Sequence, residues 1–132
     1  MADAVREGDP TTTGGFVVSA SATEMVEQRR LARMGDPVWC ADCETVGYIA
    51  QGNPTLIDEY LAVATEGHAV QCACSVGHHR LMATQQSLAA DMEATIEIPL
   101  ELAERAERAT SKLTATAKAG TRPLNLFMAV TP

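Results

Sequence analysis

The sequence predicts a mainly β domain of three short hairpins in a roughly three-fold arrangement, followed by a C-terminal α-helix. A turn motif, Gly-Asp or Gly-His, occurs three times, and short β-prone runs follow each copy. The ten residues after Pro99, by contrast, lack glycine and are rich in strong helix formers. We therefore expect a β domain at residues 1–95 and an extension at residues 96–132 with one helix, at about residues 99–118.

The three repeated units begin at Gly8, Gly35 and Gly67. In each unit a spacer precedes short β-prone runs, and turn sequences such as Gly-Asp-Pro and Gly-Asn-Pro separate these runs. Runs of this length are typical of hairpin strands and are too short to form an independent sheet. The three units can therefore bury their apolar faces only against one another.

The segments between and after the units are predicted in less detail. Residues 21–32 have a mixed pattern, for which a helical turn and a connecting strand are both open. Residues 58–64 indicate a turn and then a strand, and residues 121–132 are either a tail or an extra strand. His68, at the position where the other units carry Asp, is interpreted as a polar turn residue.

The helical segment has a favourable first turn and one weakly apolar face. Pro99 suits a first helical turn, and acidic residues follow it where the positive end of the helix favours them. The apolar stripe consists of Leu102, Ala106, Ala109 and Leu113. We expect this stripe to pack on something flat.

Composition and charge exclude several classes of function. The formal net charge of −7 argues against a phosphate-binding surface, so no nucleic-acid partner is expected. No apolar run approaches the roughly 20 residues of a membrane-spanning helix, and residues 1–10 do not resemble a signal peptide. We expect synthesis in the cytoplasm, where thiols stay reduced, and export by a route without a signal peptide remains open.

All four cysteines and all three histidines lie within residues 34–80. The thiols form two close pairs, Cys40 with Cys43 and Cys72 with Cys74. Two such pairs about 30 residues apart favour one shared metal site over a redox pair, disulfides or small buried side chains. Adjacent strand residues face opposite sides, so at most one of His78 and His79 is expected to reach that site.

Enzymatic alternatives have weaker support, and no catalytic residue is predicted. A Cys/His pair can act as a nucleophile, but no unit supplies an orienting carboxylate at a recognisable spacing. The Cys-x-x-Cys motif also lacks the helix that follows it in thioredoxin-type proteins. A small thiol oxidoreductase and a zinc-ribbon-like protein-binding module are kept as alternative functions.

The sequence resembles PAAR-repeat proteins, the conical tips of bacterial type VI secretion spikes. The resemblance covers about residues 5–89 and rests on the repeated Gly-Asp motif, on Leu-Ala-Arg-Met-Gly-Asp at residues 31–36, and on Gly-Asn-Pro-Thr-Leu-Ile at residues 52–57. It implies a small β-cone of three hairpins. It also implies that the chain, exported into the target cell or the medium, caps a trimeric VgrG-type spike protein, one copy per trimer.

The resemblance further implies a structural zinc ion near the point of the cone. Cys40, Cys43 and Cys72 fall on ligand positions of the family, whereas Thr13 stands where the first unit usually has His or Cys. A hydroxyl is a poor zinc ligand, and Cys74 is the simplest replacement. The predicted ligands are therefore Cys40, Cys43, Cys72 and Cys74, with His78 or His79 in reserve for the fourth position. The helix that begins near Pro99 would lie outside the cone, where three roles are open: packing on the side of the cone, docking an effector or chaperone, or bracing the junction with the spike.

Overall fold

The computed structural model describes residues 2–74 and 77–119. The described elements are β1 (Ala2–Asp3), β2 (Phe16–Val17), β3 (Met25–Val26), β4 (Arg29–Arg30), β5 (Pro37–Cys40), β6 (Thr45–Ile49), β7 (Gln51–Asp58), β8 (Leu61–Val63), β9 (Val70–Gln71), β10 (Ala89–Ala90), β11 (Ile96–Glu97) and α1 (Leu100–Ala119). The mainly β prediction with one C-terminal helix is confirmed. Residues 121–132 lie outside the described residues, and the domain division near residue 95 stays a prediction.

A closed ring of three backbone hydrogen bonds joins the three units. The amide of Val5 donates to the carbonyl of Ala64 at 2.9 Å, that of Ala32 to Val5 at 2.9 Å, and that of Ala64 to Ala32 at 2.8 Å. All three residues are fully buried. Val5, Ala32 and Ala64 each lie three residues before the glycine that marks a unit. When this preceding residue is counted with its unit, each unit supplies one donor and one acceptor, and the repeats seen in the sequence become a three-fold arrangement in space.

Each unit leaves the ring through the same turn. The side chains of Asp9, Asp36 and His68 each accept a hydrogen bond from the backbone amide three residues earlier, at 2.7, 2.8 and 2.9 Å. The glycine before each of these residues has a positive φ, of 83°, 93° and 90°, which a residue with a side chain rarely adopts. This geometry explains why Gly-Asp, or Gly-His, marks every unit.

His68 does more than the Asp residues that it replaces. Its Nδ1 accepts the Thr65 amide, so Nε2 carries the proton and donates to the carbonyl of Ala94 at 3.2 Å and to the hydroxyl of Thr95 at 3.1 Å. His68 therefore ties the third turn to the segment that leads into α1. Burial lowers the pKa of His68, because the charged imidazolium loses its hydration there.

Each unit contributes two hairpin-like arms, an inner arm and an outer arm. The inner arms are residues 10–16, β5 with β6, and residues 69–74 with 77–80. The outer arms are β3 with β4, β7 with β8, and β10 with β1. The undecided residues 21–32 thus contain an outer hairpin, whose turn residues Glu27 and Gln28 both have positive φ. The third outer arm is completed by the N-terminal strand, which pairs antiparallel with β10.

The helix α1 packs along β6, beside the inner arms. Ala106 and Thr110 are buried, and Leu113 packs against a small cluster that contains Val46. The strand β9 pairs with Tyr48 and Ile49 of β6 but not with Val46. The Val46 amide instead donates a hydrogen bond of 2.8 Å to the Thr114 hydroxyl. In the described part of the chain, no helix combines the length and apolarity needed to cross a membrane.

The prediction of the apolar stripe is wrong at one residue. Ala109 is exposed, and Thr110 occupies the buried position in its place. The buried face runs from Ala106 to Thr110, two residues four positions apart that lie on one side of a helix. Thr110 is compatible with burial because its hydroxyl donates to the carbonyl of Ala106 at 2.9 Å.

The neutral state of buried His68 predicts a specific loss of stability in acid. Since its folded-state pKa lies below the ordinary 6.5, the unfolded chain takes up the proton first, and stability falls as the pH drops from about 6.5 through the folded-state value. His68→Asn keeps an acceptor for the Thr65 amide but does not titrate. We expect the variant to lose less free energy of unfolding than the wild type between pH 7.5 and 5.5, as measured by denaturant titration at each pH. Equal losses in both proteins would contradict this assignment.

Candidate metal centre

Described residues near the turns of the three inner arms lie close together. Cys40 ends β5, and Cys43 lies in the turn that leads to β6. Cys72 directly follows β9, and His79 lies on the returning side of the same arm. Thr13 lies at the tip of the first arm. Residues that are far apart in the sequence are thereby brought to one place.

Three of the four predicted ligands form a compact group with a histidine. The ligand atoms of Cys40, Cys43, Cys72 and His79 all lie within 4.8 Å of one another. The Sγ atoms of Cys43 and Cys72 are 3.6 Å apart. Two sulfurs bound tetrahedrally at about 2.3 Å to one ion would be separated by about 3.8 Å. All four cysteines are free thiols, so this group can hold a thiophilic metal ion.

His79 has one nitrogen available for such an ion. Its side chain is fully buried, and its Nε2 has no hydrogen-bond partner among the described residues. Its Nδ1 forms a short hydrogen bond with the hydroxyl of Thr13, which lies 3.2 Å from the hydroxyl of Thr11 and can donate to it. Burial lowers the pKa of His79. A neutral ring that donates from Nδ1 to Thr13 leaves the Nε2 lone pair free for a metal.

Thr13 therefore has a role that the sequence did not reveal. At the position where a first-unit ligand was expected, its hydroxyl fixes the orientation of the His79 ring, as partners behind a ligand commonly do. No pattern in the sequence distinguishes His79 from His78. Only the course of the backbone in the third arm determines which of the two rings points toward the thiols. The expectation that at most one of the two reaches the buried group agrees with this geometry.

Cys74 lies in a second group, with His78 and His79, whose ligand atoms also lie within 4.8 Å of one another. Cys74 is partly exposed, whereas Cys40 is fully buried. The structure thus places three predicted ligands together and the fourth beside the histidines. The four-cysteine ligand set stays a prediction.

The thiols cannot all ionise together without a cation. Burial raises the pKa of Cys40, and the adjacent Cys72 thiol raises it further. A hydrogen bond with Cys43 is the main cause that raises the pKa of Cys74 to about 12. Burial also acts to raise the pKa of Cys43, but hydrogen bonds from Thr45, Cys74 and Cys72 outweigh it and lower the value to about 7. A bound cation would offset the mutual repulsion of the thiolates.

The structure also supplies a carboxylate that sequence analysis did not find. Asp42, in the turn between Cys40 and Cys43, lies 2.7 Å from Nε2 of His78, and both side chains are about half exposed. Cys74, His78 and Asp42 therefore form a thiol–imidazole–carboxylate series. The raised pKa of Cys74 keeps its sulfur as a thiol at neutral pH, which is the opposite of an activated nucleophile.

Comparison with known proteins gives one match. The family model of the PAAR motif matches residues 7–78, which include the tips of the first two inner arms and all four cysteines. No curated protein and no solved structure matches the chain.

The contact between Thr13 and His79 predicts a measurable contribution to metal affinity. Thr13→Val removes the partner of Nδ1 while conserving shape, and we expect cobalt(II) to bind about 10- to 100-fold more weakly, as is typical when such an outer contact is lost. Competition with a chromophoric chelator measures the change. Thr13→Ser keeps the hydroxyl and is the matched control. Valine and serine variants of equal affinity would show that Thr13 does not support the site.

Proposed function

The chain belongs to the PAAR-motif family, whose model covers residues 7–78, and on this basis we propose that it forms the tip of a type VI secretion spike. PAAR-motif proteins are structural components of such spikes. The role is mechanical: the chain caps a trimeric VgrG-type protein, one copy per trimer, and travels with the spike into the target cell or the medium. The observation that carries this proposal is the closed three-unit ring, whose inner arms converge on a group of metal ligands.

The metal that we propose at the tip is zinc. Thiolate and imidazole ligands suit zinc, which binds them tetrahedrally and undergoes no redox chemistry. Cys40, Cys43 and Cys72 would supply three ligands. For the fourth, the sequence argument favours Cys74, whereas the buried and unpartnered Nε2 of His79 favours the histidine, which we propose. Such ligation typically contributes on the order of 10 kcal/mol to folding, which would keep a narrow tip rigid.

The surface that we propose to face the spike is formed by the outer arms. We place the turns of the outer arms at the end opposite the tip, because β6 begins beside the metal centre and β7, which follows it after one residue, ends at the β7–β8 turn. Met25 and Ile57 are half exposed and occupy equivalent positions on two outer arms, and Tyr60 is 95% exposed. Exposed apolar side chains at such a site are typical of protein interfaces. A three-unit surface also suits a trimeric partner.

The helix α1 lies beside the inner arms and leaves the outer end open. Its outward face carries charged residues of both signs, among them Glu104, Arg105 and Lys112. We propose this face as the place where an effector or chaperone is linked to the tip. A charged and exposed helical face is typical of weak and reversible contacts.

Elemental analysis of purified variants tests the ligand set. We expect one zinc ion per chain in the wild type, and a clear loss of bound zinc and of thermal stability in Cys72→Ser and in His79→Ala. Cys74→Ser should retain its zinc if His79 is the fourth ligand. The reverse result, zinc lost from Cys74→Ser and kept in His79→Ala, would favour the four-cysteine set.

Co-purification with the trimeric spike protein tests the docking surface. Ile57→Asp places a charge on the proposed contact, and we expect binding at least about tenfold weaker, because desolvating an unpaired charge at an interface costs more than about 1.4 kcal/mol. Thr116→Asp, on the exposed face of α1, is the control and should bind normally. Zinc content should be unchanged in both. A spike protein that binds Ile57→Asp like the wild type would rule out this surface.

A further inference from the structure

The tip carries more ligating side chains than one tetrahedral ion requires. Beyond the buried group, Cys74 and His78 lie on the solvent side, close to His79. We propose that Cys74 and His78 form a loading site, through which the metal ion enters and leaves the buried group. This inference rests on the proposed metal centre and adds a kinetic role to residues that the resting ligand set does not use.

The two sets of ligands differ most in the exposure of their histidines, because Cys43, Cys72 and Cys74 are all partly exposed. Cys40 and His79 are fully buried, so an ion from solvent cannot reach them first. The side chain of His78 is 47% exposed, and Cys74 is partly exposed. Four-coordinate zinc leaves no ligand position empty, so exchange requires an incoming ligand or ion at the surface. Cys74 and His78 are placed to provide that first contact.

Asp42 orients His78 for contact with a metal ion. The carboxylate lies 2.7 Å from Nε2 of His78, so a neutral ring donates from Nε2 and keeps the Nδ1 lone pair for a metal. Carboxylate–histidine pairs of this kind commonly orient metal ligands. The negative charge of Asp42 also attracts cations from solution. Neither effect requires the pair to be buried.

Transfer to the buried group can proceed by exchange of one ligand at a time. Cys74 and His78 both lie near His79, which belongs to the buried group, and one residue separates Cys74 from Cys72. Cys74 releases its proton to water when it binds the ion. When Cys43 and His79 replace it, Cys43 releases its own proton and Cys74 takes one up, so the exchange is balanced. No electron is transferred, and no covalent bond other than S–H and metal–ligand bonds is made or broken.

Isotope exchange in the loaded protein tests the proposal. Zinc-loaded wild type, Cys74→Ser and His78→Asn are mixed with an excess of isotopically enriched zinc ions, and bound isotopes are measured by mass spectrometry after desalting. We expect the same total zinc in all three proteins, with exchange about tenfold slower in the variants, in line with the effect of charged and ligating groups on association rates. Ala73→Ser changes the exposed residue between Cys72 and Cys74 and should exchange like the wild type.

The outcomes separate the loading site from the metal centre itself. Variants that exchange as fast as the wild type would overturn the loading site alone. A Cys74→Ser protein with less bound zinc would also overturn it, since Cys74 would then be a resident ligand. Wild-type protein without zinc would overturn the proposed metal centre, and the loading site with it, and the total zinc in the same samples reveals this directly.

Discussion

The three-membered ring of backbone hydrogen bonds is the constraint on which the rest of the structure depends. Val5, Ala32 and Ala64 each donate to one unit and accept from the other, so no unit completes its hydrogen bonds alone. A single bond of this kind contributes only about 1 kcal/mol net, but leaving its buried groups unpaired would cost more. The ring therefore fixes the relative positions of the units, and through the shared turns it directs all three inner arms toward one end.

That end has little apolar material to hold it together. The largest core cluster consists mainly of Val and Ala. Its larger members are Ile49, which ends β6, and Leu81, which directly follows the third inner arm. The first arm is shorter than the other two, and its tip carries Thr13 in place of a ligand. The Thr13 hydroxyl instead forms a hydrogen bond with His79. The short arm thus contributes to the candidate metal centre through the partner of a ligand rather than through a ligand. A metal ion bound there, as proposed, would replace the burial that a larger core would provide.

The helix and the outer arms divide the remaining surface between them. Along β6, α1 covers a backbone edge that β9 leaves unpaired, and the hydroxyl of Thr114 satisfies the Val46 amide there. An exposed edge would otherwise invite pairing with other chains. The outer arms keep apolar side chains such as Ile57 in contact with solvent. The inner arms therefore gather potential metal ligands and α1 covers the edge of β6, while the outer arms leave apolar side chains exposed.

The sequence by itself determined the features that local patterns encode. Turn motifs revealed the three units, helix formers revealed α1, and the spacing of the thiols identified the four cysteines as candidate ligands. Only the tertiary structure decided that the N-terminal strand pairs with β10, that Thr110 rather than Ala109 is buried, and that His79 faces the thiols while Thr13 orients it. Pairing of distant backbone segments uses amide and carbonyl groups that nearly every residue carries, so no local sequence pattern predicts it. That pairing then determines toward which side a histidine ring points.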